Sequence, residues 1–459
     1  MPYELELTTQ QRRALTEAVI RYSEDYLGDL EAAPASWPPL PEDTIAQLGE
    51  APAETGVELE TLLAKLDAAL ASGINTSSGK FLSYIPSGGI YVSALGRLLG
   101  AVVNRYTGGT HGAPGLIAIE HGVIRWLCGL FGLPESSTGV LLSGGSTANL
   151  TATVAARGRL GHDFSDGVVY TSERAHHSVT KAATIAGIHP GRVRRIPADP
   201  ALRIDMAKLR AAIEADRSAG LRPMLIVLSA GTTDTGTIDP LREGAAVARE
   251  AGAWLHVDGA YGGLFILTER GRQRLDGIEL ADSITIDAHK SLFLPFGVGG
   301  LLVRDEQALL TSLDERGSYM QDVPAHGAIP NYFALGPELT RPARGLETWL
   351  ALQIHGVAAF RRALDDMLDL ATGTAAALRE VPGIEVVAEP ELSIVAFLST
   401  QGDAATHRIF NHMNRTGEIH VSSTTVDDRF IVRMAFLSQR TTPEVAARAE
   451  ALVREAALA

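Results

Sequence analysis

Apolar and polar positions alternate along the chain in three regimes. Residues 8–27 and 59–70 carry apolar side chains at helical spacing. Between them, residues 33–41 read APASWPPLP. That run cannot be helical throughout, because proline lacks an N–H and clashes with the preceding turn. A small helical arm over residues 1–75 is predicted, of a kind suited to packing on a partner subunit. From 76 to 345, short apolar runs are separated by glycine-rich turns and helical stretches. Strands are predicted at 139–143, 167–172, 223–231, 253–259, 283–287 and 299–304, with helices at 148–160 and 204–219 among the intervening segments. Strand–helix alternation implies an α/β domain with a mostly parallel sheet, and near-continuous apolar strands suit a sheet covered on both faces. From 346 to 459 the pattern changes. One long helix is predicted over 346–378, followed by strands at 393–399 and 430–436 flanked by helices, which reads as a smaller α+β domain.

The 459 residues fit two or three domains, and 46% apolar with 20% charged residues describes an ordinary globular chain. The formal charge of −14 repels nucleic acid and anionic lipid, so neither is expected as a partner. No run of 18 apolar residues predicts a membrane span. The amphipathic N-terminus lacks the apolar core of a signal peptide, so a cytoplasmic protein is expected. The single cysteine, Cys128, lies in the apolar run 123–133 and reads as a buried, inert thiol. The histidines show no metal-ligand spacing, and no metal is predicted.

Four segments carry candidate chemistry. In SITIDAHKSLFLP (283–295) a buried strand delivers Asp287, His289 and Lys290 to its end. A desolvated lysine amine has a lowered pKa and becomes a plausible Schiff-base former, although a lone lysine at a strand end is usually solvated. In AWLHVDGAYGG (253–263), Asp258 ends a strand and small residues follow. A carboxylate there suits the protonated ring nitrogen of pyridoxal 5′-phosphate (PLP), which acts as an electron sink only while protonated. Its bland reading is a turn former or cap. In LLSGGSTANL (141–150), a strand meets Gly144-Gly145, then Ser146 and Thr147 at a helix start, an arrangement that suits a phosphate. In TSERAHHSV (171–179), His176 follows a strand end, where an imidazole can stack on a pyridine ring or move a proton.

In this order and spacing the four segments resemble the PLP-dependent group II decarboxylases of fold-type I, which include aromatic-L-amino-acid, tyrosine, histidine and glutamate decarboxylases. The similarity is nearest the aromatic-amino-acid branch and runs from about 81 to 440. FLSYIPSGG (81–89), IEHGVIRWLCGLFGLP (119–134) and FIVRMAFLSQRTT (430–442) extend it beyond the DAHK and HVDGAYGG motifs.

The resemblance implies a homodimer with shared active sites, and a role for each matching residue. Lys290 holds PLP, Asp258 pairs with the ring nitrogen, Ala260 lies near the ring and His176 stacks on it. Gly145, Ser146, Thr147, Asp287 and His289 surround the phosphate. Thr233, in SAGTTDTG, lies near the 3′-oxygen or the substrate carboxylate. Tyr319, in ERGSYMQDVPAHG, stands where the family has a tyrosine on a mobile loop. Tyr84, Pro86 and Ser87 fall in the substrate-side segment, as do Thr110 and His111 in RYTGGTHGAPGLIAIE (105–120). That last segment departs from the family's aromatic-rich pattern, and His111 reads equally as a pocket residue or a loop residue in water. Arg341 and Arg344 match a basic pair of the family and read as site supports, interface residues or surface ion pairs.

The implied activity is decarboxylation of an aromatic or modified L-amino acid to its amine. Oxidative deamination to an aldehyde is the runner-up, and β-elimination is more remote. An inactive scaffold would be expected to lack Lys290 or Asp258.

Overall fold

The computed structural model describes residues 5–85, 87–315, 317–318, 327 and 329–458. A seven-stranded sheet forms the centre of the larger unit. Its strands lie side by side in the order Thr138–Leu142, Gly299–Val303, Ser283–Ile286, Trp254–Gly259, Arg222–Ser229, Gly167–Ser172 and Val193–Ile196. Only Gly299–Val303 runs against its neighbours. Every residue of Gly167–Ser172 and Trp254–Gly259 is buried, as expected of strands with helices on both faces. Helix Gly145–Gly158 packs across this sheet, and helix Met206–Ser218 opens at Asp205, whose carboxylate accepts from the amides of Ala207 and Lys208 at 3.0 Å each.

A five-stranded sheet organises the smaller unit, in the order Ile384–Val386, Ile394–Ser399, Arg429–Ala435, His420–Val426 and Phe81–Leu82. Helices Val357–Arg379, Asp403–Arg415 and Pro443–Leu458 build its core against Val395, Phe397, Val432 and Met434. The edge strand comes from far away in the chain. The expected boundary at 76 groups Phe81 and Leu82 with the large domain, yet this strand pairs in parallel with His420–Val421. Buried apolar side chains at both positions secure it there.

The N-terminal arm contains helices Thr9–Asp29 and Leu59–Leu70. The first opens on a capping box, Thr8 with Gln11. Tyr22 ties the two together by donating to Asp67 Oδ1 at 2.7 Å. Neither helix buries a residue. Within the Pro-rich stretch, Ser36–Trp37 pairs antiparallel with Gly73–Ile74.

One element departs from its predicted length. The long helix expected over 346–378 is two helices, Arg344–His355 and Val357–Arg379, broken at Gly356 (φ 70, ψ 149). Apolar periodicity runs through both and hides the break. Among the described residues, no helix is long and apolar enough to cross a membrane.

Candidate active site

Five loops leave the C-terminal ends of parallel strands and meet around a cavity of about 310 Å³. In open α/β sheets this is where ligands bind. Its walls include Gly145, Ser146, Thr147, His176, Thr233, Asp258, Ala260, Asp287, His289 and Lys290. All ten residues predicted around the cofactor are thus brought together, from segments up to 145 positions apart (145 to 290).

One wall is shaped by missing side chains. A Cβ on Gly299 would stand 2.2 Å from Asp287 Oδ1 and 2.6 Å from the Gly144 Cα. A Cβ on Gly145 would meet the Ala260 Cβ at 3.0 Å and Asp287 Oδ2 at 3.1 Å. Gly145 begins the helix 145–158, so this wall presents main-chain amides at a helix start, beside the hydroxyls of Ser143, Ser146 and Thr147. Ser143 and Thr147 share a hydrogen bond of 2.8 Å.

Lys290 follows the strand Ser283–Ile286 on a short helical turn, with its amine 3.0 Å from Asp287 Oδ2. The other oxygen, Asp287 Oδ1, is buried and has no hydrogen-bond partner among the described residues. His289 leans the same way, its Nε2 3.7 Å from Asp287 Oδ2, while its Nδ1 lies 2.8 Å from the carbonyl of Val298. Burial pushes the His289 imidazole below its usual range, more strongly than Asp287 draws it up.

Asp258 is held from two sides. Asn149 Nδ2 donates to Oδ2 at 2.9 Å and the Ala260 amide donates to Oδ1 at 3.1 Å. Behind Asn149 stands His256, fully buried, its imidazole pushed down to about 4 by desolvation. His176 enters from the strand Gly167–Ser172 with Nδ1 bound to Ser178 Oγ at 2.7 Å. Its imidazole is also lowered, by burial, against the pull of Asp258. Asn149, Ser178 and His256 were not singled out in the sequence. All three lie inside segments quoted there, but their partners are fixed only by packing of helix on strand.

The cavity therefore offers an amine, a carboxylate, an imidazole and a glycine-shaped wall of hydrogen-bond donors. This set fits PLP. The donor wall suits a phosphate, the carboxylate suits a pyridinium, and the amine suits an aldehyde.

The substrate-side residues are placed differently. Tyr84, in the left-handed region at φ 50, lines a second cavity of about 640 Å³, which shares His176 and Thr233 with the first. Ser87 is buried, its hydroxyl 3.4 Å from the carbonyl of Leu294. Thr110 is held by Asn331, whose Oδ1 accepts from its amide at 2.8 Å and its hydroxyl at 3.0 Å. The ring of His111 lies 5.5 Å from that of Tyr106. Ser87, Thr110 and His111 line neither cavity within one chain. Pro86 and Tyr319 lie outside the described residues. Arg341 and Arg344 are buried and paired, Arg341 with Glu120 at 2.6 Å and Arg344 with Glu338 at 2.5 Å. The surface reading of these two arginines is thereby corrected.

Comparison with known proteins supplies the class. The family model described as "Pyridoxal-dependent decarboxylase conserved domain" matches residues 41–400. The chain belongs to this family, and it is a PLP-dependent amino-acid decarboxylase with the fold-type I architecture. Among relatives, an aromatic-L-amino-acid decarboxylase of Bacillus atrophaeus is 33% identical over 97% of this chain and 95% of its own. An L-2,4-diaminobutyrate decarboxylase of Rhizobium meliloti is 35% identical over 73% of this chain and 69% of its own. The crystal structure of Oryza sativa TDC with PLP and tryptamine superposes with a TM-score of 0.93 at 25% identity, covering 99% of each chain.

Proposed function

We propose that this enzyme decarboxylates an aromatic or modified L-amino acid, with Lys290, Asp258, His176 and Tyr319 as its working residues. The observation that carries the residue assignment is the cavity itself, where Lys290, Asp258 and His176 converge beside a glycine-shaped donor wall. When bound, PLP supplies an electron sink for the pair left behind as CO₂ departs.

The chain's own residues do the rest. The Lys290 amine anchors the cofactor. Asp258, held by Asn149 and the Ala260 amide, keeps the ring nitrogen protonated. Gly145, Ser146, Thr147, Asp287 and His289 would surround the phosphate. Ala260 would lie near the ring, Thr233 near its 3′-oxygen or the substrate carboxylate, and His176 would stack on it. Tyr319, acting with His176, delivers the proton to Cα. Tyr84, Pro86, Ser87, Thr110 and His111 bound the substrate side. The relatives' names support an aromatic substrate. The sequence departure at 105–120 widens this to modified amino acids.

The functional unit is a cytoplasmic homodimer. Helix Tyr91–Val103 exposes Leu98, Leu99, Val102 and Val103, and the arm exposes Val19, Ile20, Leu62, Leu66 and Leu70. So much uncovered apolar surface suits a second copy of the chain. Residues such as Thr110 and His111 would then meet the site across that interface.

An amino-acid panel followed for CO₂, amine, aldehyde and peroxide tests this reading. Amine and CO₂ in equal amounts, without peroxide, are expected. Stoichiometric peroxide and aldehyde would establish the oxidative outcome instead, which retention of Tyr319 and His176 argues against.

A further inference from the structure

Asn149 stands on helix Gly145–Gly158 and is almost completely buried. Its amide nitrogen donates to Asp258 Oδ2 and to Ser178 Oγ, each at 2.9 Å. A carboxylate accepts, so the nitrogen faces Asp258 and the oxygen faces the other way. There Thr285 Oγ1 donates to Oδ1 at 2.8 Å, and His256 Nε2 lies 3.0 Å from it. An amide oxygen only accepts, so His256 carries its proton on Nε2. Its Nδ1 then accepts from the Ser283 hydroxyl at 2.8 Å, and Ser283 Oγ accepts from Trp254 Nε1 at 2.7 Å. Thr285 Oγ1 also lies 3.2 Å from His256 Nε2 and can share that proton as a second acceptor.

The same logic reaches His176. Ser178 Oγ receives a hydrogen from Asn149 and directs its own to His176 Nδ1, 2.7 Å away. The Ser178 main-chain N–H points at the same nitrogen from 3.3 Å. Two donors converge on Nδ1, which must present a lone pair. The ring proton is left on Nε2. Burial keeps the imidazole below its usual range, in agreement with a neutral ring.

We infer that Asn149 is a positioning residue: through Ser178 it locks His176 as the neutral Nε2–H tautomer, and with the same amide it clamps Asp258. This inference rests on the reading of His176 as a residue of the reacting centre. It also deepens that reading. A neutral imidazole with Nδ1 already engaged can donate a hydrogen bond from Nε2. Releasing that proton outright would leave an imidazolate or strip a serine hydroxyl. His176 therefore orients by donation, and the proton for Cα comes from another group, for which Tyr319 is the proposed source.

The test is nitrogen-15 NMR of histidine-labelled, cofactor-loaded enzyme, with the His176 signals assigned by their loss in His176→Gln. Wild type should show one protonated ring nitrogen, Nε2, at neutral pH. Ser178→Ala removes one donor and keeps the main chain. It should give a tautomer mixture and lower kcat about tenfold, the effect of one lost buried hydrogen bond, with KM within about twofold of wild type. Ser178→Thr should restore both. Asn149→Ala should disturb His176 in the same way and also weaken cofactor binding about tenfold. Protonation at Nδ1 in wild type, or unchanged His176 signals in Ser178→Ala, overturns the inference. Wild-type amine production by His176→Gln would instead remove the functional reading of His176 while leaving the tautomer assignment standing, so the two failures are distinct.

Discussion

Two carboxylates in the site are held in unlike ways. Asp258 accepts from an amide side chain and a main-chain N–H, so its charge is directed into the cavity. Asp287 leans on Lys290 and keeps one buried oxygen without a partner among the described residues. Asp258→Asn preserves shape and removes the charge, and kcat should fall roughly a hundredfold or more, as for loss of an aimed electrostatic group. Lys290→Ala should abolish the cofactor's visible absorbance in dialysed protein. Retention of the band in that variant would reassign the anchor.

Buried titratable groups also make stability depend on pH. The folded-state imidazole of His256 titrates at about 4, and unfolding returns it to about 6.5. Between those values only the unfolded chain takes the proton, so this contribution is lost as pH falls from about 6.5 towards 4. Asp239 acts in the opposite sense. Burial raises it to about 6, so the folded state holds the extra proton below that pH and gains stability there. In His256→Gln the His256 contribution is gone, while that of Asp239 and the other buried groups remains. The variant's deficit in Tm relative to wild type should therefore shrink as pH falls across this window, and parallel profiles would refute the account.

Lys290, Asp258, His176 and the Gly-Ser-Thr turn were legible in the sequence because their residue types and spacing suit one chemistry. Asn149 and Ser178 were not, because an asparagine inside a helix announces nothing until the facing strand is known.

At the scale of elements, the apolar strands were legible and the polar ones were not. Val193–Ile196 reads VRRI and His420–Val426 reads HVSSTTV, each with too few apolar positions to register. Both form because neighbouring strands offer them a ladder. Gly356 illustrates the converse, where periodicity persists through a break. Its backbone combination is one that side chains resist, although a Cβ there would meet no atom within 4 Å. Gly356→Ala should therefore cost about 1–3 kcal/mol through the backbone alone, measurable by denaturant unfolding. Gly299 is constrained by space instead. Gly299→Ala would drive a methyl into Asp287 and the Gly144 backbone. It should sharply weaken cofactor retention in equilibrium dialysis while circular dichroism stays near wild type. Undiminished retention would show that the glycine wall does not shape the cofactor site.

Across the whole molecule, a buried ion pair joins segments remote in sequence. Arg341 donates to both oxygens of Glu120, at 3.0 and 2.6 Å, and to the carbonyl of Leu141 at 2.7 Å. Its guanidinium lies over the Tyr332 ring at 4.7 Å. Removing one member strands the other's charge, so Arg341→Ala should destabilise by about 3–5 kcal/mol. Arg341→Ala together with Glu120→Gln should recover part of that loss, and equal instability of single and double variants would argue against charge stranding. The strands Ile394–Ser399 and Arg429–Ala435 of the second sheet were readable from the change of pattern near 346. The origin of one edge strand was not, since a two-residue strand carries no periodicity.

That edge strand ties early sequence to late sequence. Phe81–Leu82 docks on His420–Val421, and the main chain just beyond it is gripped by two arginines of the final strand and turn. Arg433 Nη2 donates to the Tyr84 carbonyl at 2.8 Å, and Arg440 donates to the carbonyls of Gly88 and Gly89. During synthesis on the ribosome, the segment 81–89 waits without its partners until more than 330 further residues have emerged (81 to 420). The segment proposed to bound the substrate side is thus among the last parts to set, after the strands whose ends line the cavity between 143 and 290 have emerged. A chain arrested short of residue 420 should capture cofactor yet turn over no amino acid, so that commitment to catalysis waits until the strand that holds 81–82 has emerged.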